Sequence, residues 1–365
     1  MPHDLEPDED DVDGIAPPQP VFHVEQALLG ALLLDPHRLD DVNGITADSF
    51  STAAHAAVYT AISTLPRPDP AEHAKNTKWL DRVLATGREQ ARGLTVSYLH
   101  HLIQVCPWPR HAPAYARMVE AEHARRRLRT SADHLLHTVQ DVSLPHPVQA
   151  VLAEAGVLAA VVEDIAVRFP PRAGVLPRTP TPPPNAAIDY AEAVEEEQLL
   201  LAAATACPAG IDSVRWLTVG DFTRPLHAGL WQCVTALARR AEPVDPVTVL
   251  WEAQQRGLLQ RGGDPGEVLR LLAEPAGSVE HWAERALQRS LLATADHAAR
   301  QIAACAGDPT NSPFQLVVGA RRSLADIDAV RARWQHATAP PPPRPRPAPT
   351  IRAGPPTAKA ARATR

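Results

Sequence analysis

The sequence predicts an all-α protein of two tandem helical-bundle domains joined by a proline-rich linker. Three observations carry that prediction. Residues Glu25 to Leu65 recur without a gap as Glu197 to Leu237, and self-similarity at fixed spacing marks a duplicated structural unit. Apolar residues make up 45% of the chain but aromatics only 4%, with alanine and leucine dominant; this suits helix-on-helix packing better than a sheet rich in Val, Ile and Tyr. Finally, 365 residues leave room for two or three domains of about 100 to 200 residues, each able to bury its own core.

The repeat is more than leucines in phase. Glu25-Gln26 falls on Glu197-Gln198, Leu28-Leu29 on Leu200-Leu201, Pro36 on Pro208, Phe50 on Phe222 and His55 on His227, with Tyr59 on Trp231 and Ile62 on Val234 between them. Chance matching of amphipathic helices would not align a Glu-Gln pair, a proline, a phenylalanine and a histidine together.

Unit one opens with Val24, Ala27, Leu28, Ala31 and Leu32 at helical spacing, and Asp35-Pro36 ends that helix because proline disfavours the α conformation before it. Cys207-Pro208 closes the matching helix. Ser49-Phe50-Ser51 and Asp221-Phe222-Thr223 then offer small polar residues for an N-cap. The next helix buries Val58, Ala61, Ile62 and Leu65, and its counterpart Leu230, Cys233, Val234 and Leu237. In unit two Asp245-Pro246 starts a helix that stops at Gly257; unit one keeps only apolar spacing there, from Pro66 to Leu84. Short helices follow around Tyr98-Leu99-Leu102 and Val268-Leu269-Leu272. A long helix then runs from Ala114 to about His137 and from Val279 to about Ala304, and another from Pro147 to Val167 and from Pro313 to Trp334. Paired in this way, they predict an antiparallel hairpin in each unit.

The expected division is an acidic disordered tail at 1–20, copy one at 21–168, a linker at 169–190, copy two at 191–336 and a basic, proline-rich disordered tail at 337–365. Residues 4–13 hold seven acids, whereas His336 to Arg365 has six basic residues and no acid, and both compositions belong to solvated, unfolded chain. The linker, Phe169 to Asn185, is expected to be an extended spacer reaching roughly 50 Å at about 3 Å per residue, enough for the units to fold independently and to touch in either order. A net charge of −6 argues against a uniformly basic nucleic-acid surface; the basic tail leaves DNA contact open. Cys106, Cys207, Cys233 and Cys305 form no C-x-x-C pair, which predicts buried thiols in a reduced, cytoplasmic setting. No apolar run suits a signal peptide or a bilayer span, so no membrane association is expected.

The order of these residues resembles the N-terminal domain of DnaB-type replicative DNA helicases. The resemblance rests on Glu25-Gln26, Leu28 to Pro36, Phe50, His55 and Tyr59, Tyr115-Ala116 with Val119, and Arg125-Arg126; in the second unit it rests on Glu197-Gln198, Phe222, His227, Val244-Asp245, Gly257-Leu258, Gly262-Gly263 and Trp282-Ala283. It implies that each unit is a small globule plus a helical hairpin. In that family the hairpin pairs with other copies, the domain builds the collar of the hexameric ring, and it offers a surface to primase and loader proteins. The family's ATPase motor is not matched. A phosphate-binding loop needs glycines that let backbone N–H groups wrap phosphates and a lysine that reaches them; these residues contain no G-x-x-x-x-G-K-[ST] and no lysine between Lys78 and Lys359.

Among individual residues, His55 and His227 each lie near a carboxylate in sequence, Asp48 and Asp221, but a histidine at a helix start with an aromatic four residues on reads as a packing residue. Glu25 and Glu197 read as first-turn carboxylates answering the helix dipole. His123, His134 and His137 have helical spacing without the further ligands zinc requires, and no nucleophile signature occurs. No catalytic, cofactor or metal site is therefore expected. Tyr115, Met118, Trp282, Leu287 and Leu291 are the candidates for a self-association face on the hairpins, with packing inside each unit as the competing reading. Arg125, Arg126 and Arg129 form a candidate basic contact face for phosphates or an acidic partner, against a solvated face balanced by Glu120 and Glu122. The leading functional expectation is a non-catalytic assembly module of DNA replication that pairs its copies with each other or with other chains and docks replicative helicase, primase or helicase loader. The alternative is a divided or regulatory helicase subunit whose motor lies on another polypeptide.

Overall fold

Proline punctuation sets most helix starts, and it does so in both halves. The computed structural model describes residues 19–171, 174, 176–183, 190–261, 264–274 and 277–339; of the expected acidic tail, 1–20, and basic tail, 337–365, residues 1–18 and 340–365 lie outside the described residues, while Pro20 and Ala337 belong to helices. The first unit comprises α1 (Pro20–Leu34), α2 (Ala53–Thr64), a single turn α3 (Pro70–His73), α4 (Lys78–Gln90), α5 (Val96–Val105), α6 (Ala112–Gln140) and α7 (Pro147–Arg168). The second comprises α8 (Tyr190–Ala206), α9 (Pro225–Arg239), α10 (Pro246–Gln255), α11 (Pro265–Ala273), α12 (Val279–Gly307) and α13 (Pro313–Ala337). Among the described residues there is no strand.

Caps explain the boundaries. Thr52 accepts the His55 amide at the start of α2, Asp245 accepts those of Val247 and Thr248 at α10, and Ser312 with Gln315 makes a reciprocal capping box on α13. Each satisfies donors that a helix start leaves unpaired. Where the sequence keeps only apolar spacing, the structure places α4, which buries Trp79, Val83, Leu84 and Gly87. It packs on α2 as α10 packs on α9.

Each unit is a globule followed by a two-helix hairpin. In the first, α1, α2, α4 and α5 enclose Leu28, Leu32, Val58, Ile62, Val83 and Leu102, closed by Val119 from the first half of α6. Helix α1 crosses α5 at Gly30, where a Cβ would lie 2.0 Å from the Leu102 carbonyl oxygen; only glycine permits that approach. The second half of α6 belongs to a different core. Leu128, Ala132 and Leu135, with Val151, Leu158 and Ile165 of α7, are buried in one continuous cluster with Ala295, Ala299 and Ile302 of α12, Leu316, Leu324 and Ile327 of α13, and the globule of the second unit.

The two hairpins therefore pack on each other, chiefly α6 on α12 and α7 on α13. Phe169, just past α7, meets Phe314 near the start of α13 edge to face at 5.8 Å, so α7 and α13 run antiparallel. The linker's reach leaves the units free to touch, and here they do: the apolar stripe of the first hairpin is covered by the second unit, and a helix with such a stripe needs a partner. The linker also differs from a free spacer. Its described stretch, 176–183, is hydrogen-bonded to α12, to α13 and to the turn between them.

Candidate interaction site

The seam between the hairpins is an apolar core with polar locks along its margin. Leu128 and Leu135 on α6 follow Ala124 and alternate with Ala132, all on one helix face. The alanines let α6 and α12 approach closely, and the leucines fill the space between them. At one end Arg125, half-buried, donates from its guanidinium to the carbonyl oxygens of Asp308 at 2.6 Å, Asn311 at 2.7 Å and Ala306 at 3.3 Å. These groups finish α12 or lie just beyond it, where carbonyls lack helical partners and attract a cation. A second lock is the two-point pair of Arg321 on α13 with Glu163 on α7, at 2.9 and 2.6 Å. The hydrogen bonds from Arg321 hold the Glu163 carboxyl below its usual pKa.

A buried polar cluster ties α1 to the entry of α2 in the first unit and recurs in the second. Glu25, fully buried, accepts the Ser51 amide and hydroxyl, each at 2.8 Å, and contacts His55 Nδ1 at 2.6 Å. A carboxylate accepts only, so Nδ1 carries the proton, and in the neutral ring Nε2 accepts the Tyr98 hydroxyl at 2.7 Å. Glu197 likewise accepts the Thr223 amide and hydroxyl, at 2.6 and 2.8 Å, and meets His227 Nδ1 at 2.8 Å. Burial pushes the Glu197 carboxyl up, but hydrogen bonds from His227 and Thr223 outweigh it and hold the pKa below the usual range. The first-turn reading of Glu25 and Glu197 is thus corrected: α1 and α8 begin earlier, at Pro20 and Tyr190, and the two carboxylates close the next helix's entry instead. Asp48 and Asp221 are not the histidines' partners. Asp221 accepts from Thr218, Ser290 and Arg333.

The candidate residues scatter between these features. Leu287 and Leu291 are fully buried in the cluster that spans both units, whereas Tyr115 packs on the first globule and Met118 is 54% exposed. Trp282 sits half-buried at the start of α12, with Nε1 buried and unbonded. Leu128, Ala132 and Leu135 were not singled out from the sequence, although their spacing was visible there. The three arginines form no common face: Arg125 grips the end of α12, Arg126 donates to the Ser49 carbonyl at 2.7 Å, and Arg129 is an exposed side chain 3.9 Å from Asp133. Geometry directs two of them inward, toward carbonyl groups, rather than toward an outside anion.

Other features carry little chemistry. A cavity of about 710 Å³ in the second unit is lined by Asp212, Arg215, Thr218, Trp231, Thr235 and Arg239 among others, and none of its described lining residues is a histidine, cysteine or lysine. Among the described residues no three His, Cys, Asp or Glu side chains are placed to hold a metal, and no helix is long and apolar enough to cross a membrane. Cys106, Cys233 and Cys305 are buried and Cys207 is exposed, all as free thiols.

Two stretches, residues 16–121 and 190–286, match the model of the DnaB-like helicase N terminal domain, together more than half of the chain. The chain belongs to that family. Both matched stretches end inside the long helix of their unit, α6 or α12. The chain is 46% identical over 55 residues to the replicative DNA helicase DnaB of Mycobacterium leprae, a match covering 15% of this chain and 9% of that protein. The chain thus spans a small part of the relative's length. It is also similar to the crystal structure of the N-terminal domain of DnaB helicase from Mycobacterium tuberculosis, at 28% identity over 37% of this chain and 95% of that one, with a TM-score of 0.32. A replicative-helicase-related role follows from the family.

Proposed function

We propose that this chain is a non-catalytic assembly module of DNA replication: a pre-paired collar unit, in which two helicase N-terminal-like domains (21–168 and 191–336) present their globules to replicative helicase, primase or helicase loader. The single observation that carries the reading is the continuous core in which α6 and α7 of the first copy pack on α12 and α13 of the second. Hairpin pairing, which the family resemblance assigns to separate copies, has a partner inside this chain. A tether places two such domains at roughly millimolar mutual concentration, so even weak pairing persists. With the hairpins engaged, the globules are the surfaces left for docking.

The absence of a phosphate-binding loop from these residues supports a docking role over nucleotide chemistry. Purified chain is expected to show no ATPase or unwinding activity and to be retained by an immobilised DnaB-type helicase, its primase or its loader. Retention by none of the three removes the docking reading. ATP hydrolysis that appears only with a separate motor protein would favour the divided-helicase alternative.

A further inference from the structure

The stretch Leu176–Pro183 is bound along its length to the second hairpin. Its backbone offers the Leu176 carbonyl to Gln315 at 2.7 Å and the Pro183 carbonyl to Arg300 at 2.7 Å. Between them, the Arg178 amide donates to Asn311 Oδ1 at 2.8 Å, and the Thr179 hydroxyl donates to Asp308 at 2.7 Å. Pro177 lies against Gly319 of α13, where an added Cβ would come within 2.8 Å of its ring. The glycine is a seat shaped for the proline.

Asn311 connects this stretch to the seam. It is 2% exposed, and its amide nitrogen donates to the Thr179 hydroxyl at 2.7 Å and to the Cys305 carbonyl at 3.0 Å. Both side-chain donors and the side-chain oxygen are thereby used. Its backbone oxygen receives Arg125 from the first hairpin. The turn that Arg125 grips is therefore the turn that the linker holds in shape.

We infer that Leu176–Pro183 is a strap that reserves the second hairpin for the first hairpin of the same chain, and that a chain with its strap released pairs through its hairpins with a second copy of itself. The inference rests on the in-chain pairing proposed above and names what selects it. A bound strap fixes the turn and holds Leu176–Pro183 on the second hairpin, which favours the internal partner beyond what a loose tether of equal length gives. Released, the same apolar faces fit the complementary hairpins of another chain, the exchange that hinge changes promote in tethered domains.

Two full-length variants test this. Gly319→Leu fills the proline seat without altering Arg125, Glu163 or the leucines of the seam. Arg178→Pro removes the amide that Asn311 accepts from, at an exposed position that leaves both cores intact. Light scattering is expected to give one-chain mass for the wild type, and a mass rising toward twofold for both variants as protein is concentrated toward the millimolar range of the tether. Hydrogen exchange at Leu128 to Leu135 separates the two ideas. Protected amides in a wild type whose variants both keep one-chain mass would overturn the strap while leaving the pairing. Unprotected amides in the wild type would overturn the pairing itself, and the strap with it. Should Gly319→Leu misfold, Arg178→Pro alone decides.

Discussion

The two copies keep the same glutamate, histidine and hydroxyl at the junction of their first two helices but differ in what surrounds them. In copy one the Tyr98 hydroxyl bonds the far side of His55, and Arg126 reaches within 3.9 Å of Glu25. In copy two the position matching Tyr98 is Val268, and the arginine near the carboxylate is Arg289, at 3.8 Å. Arg289 stands one helical turn nearer the start of its helix than Arg126 does. Duplication has thus preserved a buried carboxylate that must be satisfied while letting its cation arrive from another turn. The seam diverges further. Arg125 closes the end of α12, whereas the matching position in α12 is Leu292, so the polar lock is one-sided. The halves have become partners of unlike shape, no longer interchangeable.

The largest expected effect separates what is shared. Glu25→Ala and Glu197→Ala each remove the acceptor shared by a buried histidine Nδ1–H and a backbone amide, and each buried donor that loses its acceptor costs about 1–3 kcal/mol. Denaturant unfolding should show both losses, with Glu25→Ala releasing the first globule ahead of the seam and Glu197→Ala weakening the seam too, because its globule shares that core. Equal, whole-chain loss from both would erase the distinction. Acid should act on copy two in the same direction. The Glu197 pKa is lowered from 4.5 in the folded chain, so its contribution is present above that value and is lost as pH falls through the lower, folded one. A Glu197→Gln variant should have a flatter acid limb in thermal melts; an unchanged limb would deny the linkage.

Next comes the contrast between the private core and the shared one. Leu135→Ala and Ile62→Ala each remove a buried aliphatic side chain and should cost about 2–5 kcal/mol. Ile62 lies in the cluster confined to copy one and Leu135 in the cluster that spans both. Hydrogen exchange should therefore accelerate in α12 and α13 for Leu135→Ala but not for Ile62→Ala. Faster exchange in α12 for Ile62→Ala would merge the two cores into one cooperative unit.

Much of this architecture is legible in the sequence because local chemistry writes it. Asp35-Pro36, Asp245-Pro246 and Ser312-Pro313 punctuate helices through backbone rules that need no tertiary knowledge, and the repeat reports two units directly. The site is less legible. Glu25 finds its partners 26 and 30 residues away, and Arg125 finds its own 181 to 186 residues away. Neither separation leaves a local signature. The apolar face at Ala124, Leu128 and Leu135 is visible as helical spacing, but spacing cannot say whether its partner is the same unit, the next one or another chain. Tyr115 and Met118 drew attention by size at the start of α6, where the helix still serves its own globule.

A smaller contrast concerns Gly30 and its counterpart, Ala202. Because a Cβ at Gly30 would meet the backbone oxygen of Leu102, Gly30→Ala must push α1 off α5, and overpacking of this kind costs about 1–3 kcal/mol. Copy two already holds an alanine, fully buried, on the helix facing α11. The reciprocal Ala202→Gly should cost about 1 kcal/mol from helix propensity alone. Melting temperatures of the two variants should rank in that order; a neutral Gly30→Ala would mean that α1 and α5 can shift apart freely.

The smallest effect is the most specific to the divergence of the two clusters. Tyr98→Phe removes one hydroxyl from His55 Nε2 and leaves the ring stacked beside the imidazole, 6.2 Å between centroids. A single side-chain hydrogen bond contributes about 1 kcal/mol, so the cost should be near that value, measured by equilibrium unfolding. The bond forms only in copy one. If it serves to fix the neutral Nδ1-protonated ring, the imidazole ¹⁵N shifts of His55 should move toward those of His227 in the variant while those of His227 stay put. His55 shifts that do not move would show that Glu25 alone sets the tautomer, making the tyrosine an addition that copy two manages without.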